Sequence, residues 1–182
     1  MRIGVNALYL LPGKVGGSEV YMRSLLNAIA EIDPENEYFI FTNSESRGSF
    51  NMRKNNFHEV NLPVRASFRP FRILWEQFLL PFYVRSRKLD LLFSPGFTSP
   101  ALLPCPSVVS IYDMQYRRHP EYFFLSHLIF WRLLVFLSVH RSARIITLSE
   151  NSRKDVLMYY KVPSNKIVVT HLAPGGRFHP GY

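Results

Sequence analysis

The sequence is poor in cysteine and in negative charge. Its 182 residues include one cysteine, Cys105, so a disulfide within the chain is excluded and a reducing compartment is the simpler expectation. Lysine and arginine outnumber aspartate and glutamate by 22 to 13, which gives a formal net charge of +9. That charge predicts attraction to nucleic acid, anionic lipid headgroups or phosphorylated substrates without choosing among them. Residues 44–90 carry nine of the basic residues against four acidic ones, which indicates either a basic face or an ordinary solvated surface.

Long uncharged apolar runs are also missing. The most apolar stretch, residues 121–140, is near the length that spans a membrane but contains Arg132 and three other titratable residues. It therefore predicts a core helix. Residues 1–11 do not have the layout of an export signal, so a cytoplasmic location is expected.

Several site motifs are absent as well. The six histidines are scattered and form no H-x-x-x-H or Cys/His set, so no metal site is expected. No G-x-S-x-G nucleophile elbow is present. The loop GKVGGSE fits neither G-x-G-x-x-G nor G-x-x-x-x-G-K-[ST], which disfavours dinucleotide and Walker-type nucleotide binding.

What the sequence does contain is a regular alternation of short apolar strands and helical segments. Strands are predicted over residues 2–8, 37–43, 57–63, 90–94, 107–113, 143–149 and 166–172, and helices over 17–32, 70–88, 121–141 and 150–160. This alternation is typical of a Rossmann-like α/β fold, an open parallel sheet with helices on both faces. Functional residues are then expected in the loops that follow the strands, at their carboxyl ends.

The predicted helix over residues 70–88 carries an apolar stripe and a proline, Pro81, that should kink it. The stripe consists of Phe71, Leu74, Trp75, Phe78, Leu79 and Phe82. We expect it to face the core, which would leave no platform on which bases could stack. Nucleic acid is therefore not expected as a partner, whereas an anionic bilayer fits the basic residues of this region.

Three glycines, Gly13, Gly16 and Gly17, separate the first predicted strand from the first helix. A helix N-terminus exposes unpaired N–H groups and a partial positive charge, and glycine lets the backbone approach an anion closely. Phosphate binding is one interpretation of this loop and a plain tight turn is the other. Glu19, in the first helical turn, favours the helix but repels an incoming anion.

Three segments in this order, residues 4–26, 107–123 and 143–180, resemble the N-terminal half of GT-B glycosyltransferases of family 4, the retaining "group 1" enzymes. The third segment is the most specific, with SENSRKD opening a helix, then YYKVPSNKIVV and an RFHP ending. The resemblance implies an acceptor-binding domain over residues 1–173 and the start of an interdomain linker at 174–182. It also implies a C-terminal domain, outside this sequence, that holds most of the nucleotide-sugar site.

The function implied by the resemblance is transfer of a sugar from a nucleoside-diphosphate donor to a saccharide or lipid-linked acceptor, as in polysaccharide biosynthesis. No metal or other cofactor is implied, and the domain alone should be inactive. The family's donor-side loop falls on Gly16, Gly17, Ser18 and Glu19, and its acceptor-side residues fall on Gly96, Phe97, Arg117, Arg118, Ser149 and Glu150. The alternative is a noncatalytic anion- or partner-binding module. Peripheral contact with an anionic membrane, at the inner face of the cell membrane, is a separate expectation.

One position departs from the family pattern. Family members commonly have a His-Asp pair after the fifth strand, and this chain has Tyr112 and Asp113, the two catalytic candidates. A tyrosine, with an ordinary pKa of about 10, keeps a hydroxyl but cannot become cationic near neutral pH. Asp113 either acts on an acceptor hydroxyl as an orienting group or base, or caps the loop that follows.

Overall fold

A seven-stranded parallel sheet organises the chain. The computed structural model describes residues 1–52 and 54–173, apart from the side chains of Ser126 and His127, so the linker predicted at 174–182 lies outside the described residues. The strands are β1 (Arg2–Asn6), β2 (Glu37–Thr42), β3 (Phe57–Asn61), β4 (Leu91–Ser94), β5 (Ser107–Ile111), β6 (Arg144–Thr147) and β7 (Ile167–Val169). Their order across the sheet is β3-β2-β1-β4-β5-β6-β7, and each neighbouring pair is parallel.

Helices cover both faces of this sheet, which confirms the predicted fold class. They are α1 (Gly17–Ile32), α2 (Arg69–Leu74), a π turn (Trp75–Leu79), α3 (Leu80–Ser86), α4 (Gln115–Arg118), α5 (Leu125–Arg141) and α6 (Glu150–Tyr160). Two short 3₁₀ turns lie at Pro120–Tyr122 and Ser164–Lys166. The first and last α-helices begin and end where the sequence pattern predicts them.

The two faces of the sheet carry different helices. Val5 and Ile40 pack with Met22 of α1 on one face. Alternate strand residues point the other way, and Leu92 there packs with Leu80 at the start of α3. The α5 and α6 helices share a third apolar cluster on that second face with the inward residues of β5 and β6. Right-handed crossovers explain this division. The chain moves from β1 through α1 to β2 in one direction along the sheet, and from β3 onwards it moves in the opposite direction, to β4, β5, β6 and β7.

The apolar stripe predicted to be buried in the 70–88 helix lies instead on the surface. Phe78 and Phe82 are 65% and 68% exposed. Phe71, Leu74 and Leu79 are exposed as well. Trp75 alone of the six packs partly against the core. The prediction of a core-facing stripe is therefore wrong for the other five residues, and so is the ground on which base stacking was excluded.

A salt bridge occupies the buried side of the same helix. Arg72 Nη1 lies 3.0 Å from Glu76 Oε2, and both side chains are almost fully buried. Leu80 and Val84 continue this inward line and pack on the sheet. Hydrophobic periodicity cannot anticipate a buried ion pair, because a charged residue every four positions ordinarily marks the solvent side.

The proline in this helix is accommodated by a wide turn. The Leu80 N–H donates to the carbonyl of Trp75, five residues earlier, in the π turn that precedes Pro81. Proline has no N–H to give, so the backbone around it departs from regular α-helical bonding. The irregularity that the sequence predicts at Pro81 thus takes the form of a π turn.

The predicted apolar helix over 121–141 corresponds to α5, which begins four residues later. Val135 and Val139 pack in the core, whereas Leu125 and Ile129 are 71% and 61% exposed. Within residues 1–52 and 54–173, no helix has both the length and the apolar character needed to cross a bilayer.

Candidate functional site

The loops predicted to carry function meet at one edge of the sheet. Because all strands are parallel, the segments that follow β1, β4, β5 and β6 leave from the same edge. The chain passes from β1 to β2 on one side and returns to β4 on the other, so the strand order reverses between β1 and β4. Open α/β sheets bind ligands in the crevice outside such a reversal point.

The glycine turn lies open at this edge. Gly16 is the residue before α1, with φ 64° and ψ −134°, a conformation that suits glycine only. Gly16 and Gly17 are exposed, and among the described residues no atom lies within 4 Å of a Cβ built on either. No side chain of the described chain caps the helix. The Glu19 N–H donates to the Gly16 carbonyl at 3.1 Å. The backbone at Gly16 and Gly17 is thus open to the approach of an anion, which would take its hydrogen bonds from the N–H groups that precede Glu19.

Both carboxylate oxygens of Glu19 accept hydrogen bonds from nearby groups of the loop and of α1. Its Oε2 accepts the N–H of Gly13 at 2.8 Å, and its Oε1 accepts from Nε of Arg23 at 2.9 Å. The Ser18 hydroxyl donates to the carbonyl of Val15 at 3.1 Å. Pairing with Arg23 offsets the negative charge that would otherwise repel an anion near the turn.

An aromatic cluster joins the loops behind the glycine turn. We use this name for Tyr9, Tyr21, Phe97 and Tyr112. The ring of Tyr112 meets those of Tyr21 and Phe97 edge to face, at centroid distances of 5.4 and 5.1 Å. The ring of Tyr9 lies on Gly96, where a Cβ would come within 2.4 Å of it. Glycine at 96 is thus required by the close approach of Tyr9.

Tyr112 uses its hydroxyl inside this cluster. The hydroxyl donates to the carbonyl of Pro95 and so ties the end of β5 to the loop after β4. Burial raises the pKa of Tyr112, and the neighbouring Tyr9 and Tyr21 raise it further. Tyr112 is therefore neutral at physiological pH. Phe97, beside it, has a φ of 66°, a left-handed conformation that the ring contacts hold in place.

Asp113 lies exposed at the carboxyl end of β5. Its Oδ1 accepts the N–H of Gln115 at 3.1 Å, which is the loop-capping contact that the sequence predicts as one of two roles. The exposed carboxylate also remains accessible to a ligand at the site edge. Both predicted roles are compatible with this geometry.

Arg117 and Arg118 are turned towards α6. Arg118 Nη2 lies 2.5 Å from Asp155 Oδ1, and this hydrogen bond raises the pKa of Arg118. The guanidinium of Arg117 lies 5.4 Å from the ring centroid of Tyr160. Both side chains thus fasten α4 to α6, although Arg118 is still half exposed.

Ser149 and Glu150 begin α6. Ser149 Oγ accepts the N–H of Ser152 at 3.1 Å and so caps the helix. Glu150 pairs with Arg153 at 3.3 Å and is exposed. Ser152 Oγ donates to the carbonyl of Tyr112 at 2.7 Å, which links this group to the aromatic cluster.

The predicted site residues thus form two connected groups. One surrounds the aromatic cluster and includes the glycine turn, Gly96 and Phe97, and the other lies along α4 and α6. Sequence reasoning missed Tyr9 and Tyr21, whose only signal is that they flank the glycine loop on both sides. Within the described residues, no three His, Cys, Asp or Glu side chains lie close enough together to hold a metal ion.

An open parallel sheet with strand-end loops gathered at its reversal point defines a Rossmann-like domain. The family model of Glycosyltransferase Family 4 matches residues 15–173. The chain belongs to this family.

Solved structures support the same fold. The lipopolysaccharide outer core galactosyltransferase WaaB in its apo form is similar with a TM-score of 0.57 and 11% identity, over 94% of this chain and 45% of that one. The UDP-GlcNAc 2-epimerase from Neisseria meningitidis, bound to UDP-GlcNAc, gives a TM-score of 0.61 and 12% identity, over 93% and 46%. The UDP-N-acetylglucosamine 2-epimerase from Rickettsia bellii gives 0.60 and 15%, over 92% and 43%.

At these identities the likeness concerns the fold alone. The chain spans less than half the length of each of these three proteins. A comparison with curated proteins found no match.

Proposed function

We propose that this chain is the acceptor-binding domain of a glycosyltransferase that moves a sugar from a nucleoside-diphosphate-sugar to a saccharide or lipid-linked acceptor. The observation that carries the proposal is the open glycine turn. Gly16 and Gly17 are exposed and uncapped by any side chain of the described chain, at the edge where the other loops converge, so the helix start offers backbone N–H groups and a favourable dipole to a diphosphate oxygen. Family membership supplies the reaction class.

The described residues suit distinct roles in this transfer. The amides at Gly16 and Gly17 receive a negatively charged donor oxygen, and paired Glu19 lets that charge approach. Asp113 orients or deprotonates the acceptor hydroxyl. Tyr112 acts as a positioning residue for the loop after β4, because its hydroxyl donates to the carbonyl of Pro95. We propose further that Arg117, Arg118, Ser149 and Glu150 border the acceptor, with retention at the transferred sugar and no metal requirement.

We propose that a second domain completes the donor site and that residues 1–173 alone do not catalyse transfer. We propose that transfer to this acceptor takes place at the cytoplasmic face of the membrane, as part of polysaccharide biosynthesis. The test is to supply the full-length protein with a panel of nucleotide sugars and candidate acceptors. We expect transfer with one donor class, and the absence of both transfer and donor hydrolysis across the panel would refute the proposal.

The role of Asp113 has a sharper test, because its two roles need different atoms. Asp113→Asn keeps an oxygen that can accept the Gln115 N–H, but it cannot take a proton. If Asp113 is the base, this variant folds normally and loses about 10²–10⁴-fold in kcat. Asp113→Ala removes the cap as well and serves as the comparison. Wild-type kcat in Asp113→Asn would leave the residue with its capping role alone.

A noncatalytic module is the second candidate, favoured by one observation. The hydroxyl that stands where the family has a histidine is buried and engaged with Pro95, so Tyr112 offers no titrating group near neutral pH. Calorimetric titration of the full-length protein with oligosaccharides and glycolipids distinguishes the two. Binding of an acceptor together with turnover supports the enzyme, and binding without any turnover supports the module.

A further inference from the structure

A broad apolar surface covers the outer side of the helices that lie on the second face of the sheet. We call it the apolar face. Its members are Phe68, Phe71, Leu74, Phe78, Leu79, Phe82, Leu102, Leu125, Ile129, Phe130 and Leu133, each between 37% and 72% exposed. Monomeric soluble proteins rarely expose so many large apolar side chains together, and such patches mark partner or membrane contacts.

The two helical runs that build this face lie side by side. Gln77, in the π turn, donates to the carbonyl of Ser99 at 3.3 Å and accepts the N–H of Ala101 at 3.0 Å. Ser138 of α5 accepts the N–H of Ser99 at 2.9 Å. The loop after β4 therefore bridges the π turn to α5, and Leu102 of this loop is exposed.

The charge around the apolar face has one sign. Residues 65–88 and 122–141 contain eight basic residues and a single acidic one, Glu76. Glu76 and Arg72 are paired and both almost fully buried, so the surface charge of these segments comes from the other seven basic residues. Helices that combine Phe and Leu with flanking Lys and Arg are those that lie in the membrane interface.

A groove beside the apolar face also combines apolar and basic side chains. It has a volume of about 470 Å³ and lies between α3 and the end of α5. Phe82 and Leu102 line it together with Arg85 and Arg141. Apolar walls beside two cations suit a phospholipid, whose phosphate and acyl chain need both.

We propose that the apolar face docks on an anionic phospholipid bilayer, with its Phe and Leu side chains at the boundary of headgroups and acyl chains and Arg85 and Arg141 on lipid phosphates. Leu125, Ile129 and Leu133 favour lipid over nucleic acid, because aliphatic side chains offer no ring on which bases stack.

The direction of the helices connects this surface with the site edge. α2 and α5 follow the carboxyl ends of β3 and β5, so both helices begin at the edge where the site loops lie. A bilayer on the apolar face would therefore border the candidate site. A bilayer beside the site would favour a lipid-linked acceptor. Only this conclusion about the acceptor rests on the proposed function.

The test is co-sedimentation of the full-length protein with vesicles of phosphatidylcholine, with and without phosphatidylglycerol, in the absence of any acceptor. We expect binding to the anionic vesicles that weakens as salt is raised. Phe78→Glu combined with Phe82→Glu should lower the partition coefficient at least about tenfold, since each removes an inserted aromatic ring and adds a repelled charge. Ile32→Glu is the matched control, because Ile32 is 79% exposed on α1, on the opposite face.

The outcomes separate this proposal from the proposed function. Transfer to a water-soluble acceptor should be unchanged in the Phe78→Glu, Phe82→Glu variant, whose unaltered circular dichroism shows that it folds. Equal binding to neutral and anionic vesicles, or equal losses in the variant and in Ile32→Glu, would overturn the docking proposal. So would binding to single-stranded nucleic acid instead of vesicles, or a dimer in sedimentation that Phe78→Glu dissociates. None of these results would affect the proposed transfer.

Discussion

Gly16 and Gly17 are adjacent and both exposed, yet alanine should affect them in opposite ways. Gly16 has φ 64° and ψ −134°, so an alanine there is strained by about 1–3 kcal/mol. No described atom lies within 4 Å of the added methyl group, so the whole cost comes from the backbone. Gly17 is the first residue of α1, where alanine gains up to about 1 kcal/mol over glycine.

Urea unfolding of the two variants measures this contrast. Gly16→Ala should lower the free energy of unfolding by about 1–3 kcal/mol, and Gly17→Ala should leave it unchanged or raise it slightly. Activity should follow a different order. If a diphosphate oxygen meets the amides of the turn, the methyl group of Gly17→Ala blocks its approach, and kcat/KM should fall at least about tenfold although the fold is intact.

Two results would refute this reasoning. Wild-type kcat/KM in Gly17→Ala would mean that no ligand approaches the backbone at that residue, and the glycine turn would then be a structural feature only. An unfolding free energy in Gly16→Ala equal to that of the wild type would mean that the turn does not hold the left-handed conformation in solution.

Two further predictions concern buried and surface carboxylates. Arg72→Met should cost about 3–5 kcal/mol near neutral pH, because it leaves the buried Glu76 carboxylate without its partner. Burial raises the pKa of Glu76, so this loss should shrink as urea unfolding is repeated towards acid pH, where the carboxyl is protonated, and adding Glu76→Leu should restore much of it. Hydrogen bonds from Asn36 and Tyr38 lower the pKa of Asp33 to about 2. Its contribution to stability is present above the unfolded pKa of about 3.9 and is lost as pH falls through about 2, so acid titration of the wild type and of Asp33→Asn should give unfolding free energies that converge there.

The sheet and two of its helices follow from local sequence. β1 and β2 are apolar runs of strand length, and α1 and α6 combine helical periodicity with signals at their first residue. At α6 that signal is Ser149, which caps the helix as its residue type predicts. The open glycine turn at α1 is likewise a local feature, readable from Gly16 and Gly17.

The remaining features depend on contacts between residues that are distant in sequence. The burial of Glu76 beside Arg72 reverses the inside and outside of its helix, and hydrophobic spacing cannot reveal this. Tyr9 reaches the site because Gly96, 87 positions later, leaves room for its ring. The hydroxyl of Tyr112 finds its acceptor on Pro95, in a loop that only the folded sheet brings near it.

The π turn at Trp75–Leu79 means that this helix is sensitive to chain length as well as to composition. The Leu80 N–H bonds to a carbonyl five residues earlier instead of four, so the turn holds one residue more than a regular α-helix would. Losing one residue there is absorbed by closing the turn to α-helical bonding, with Val84 still on the sheet. An α-helix advances by about 100° per residue, so an extra residue in α2 would instead rotate all of α3, take Val84 off the sheet and turn Phe82 away from solvent. A one-residue insertion in α2 should therefore do more harm than a one-residue deletion in the π turn.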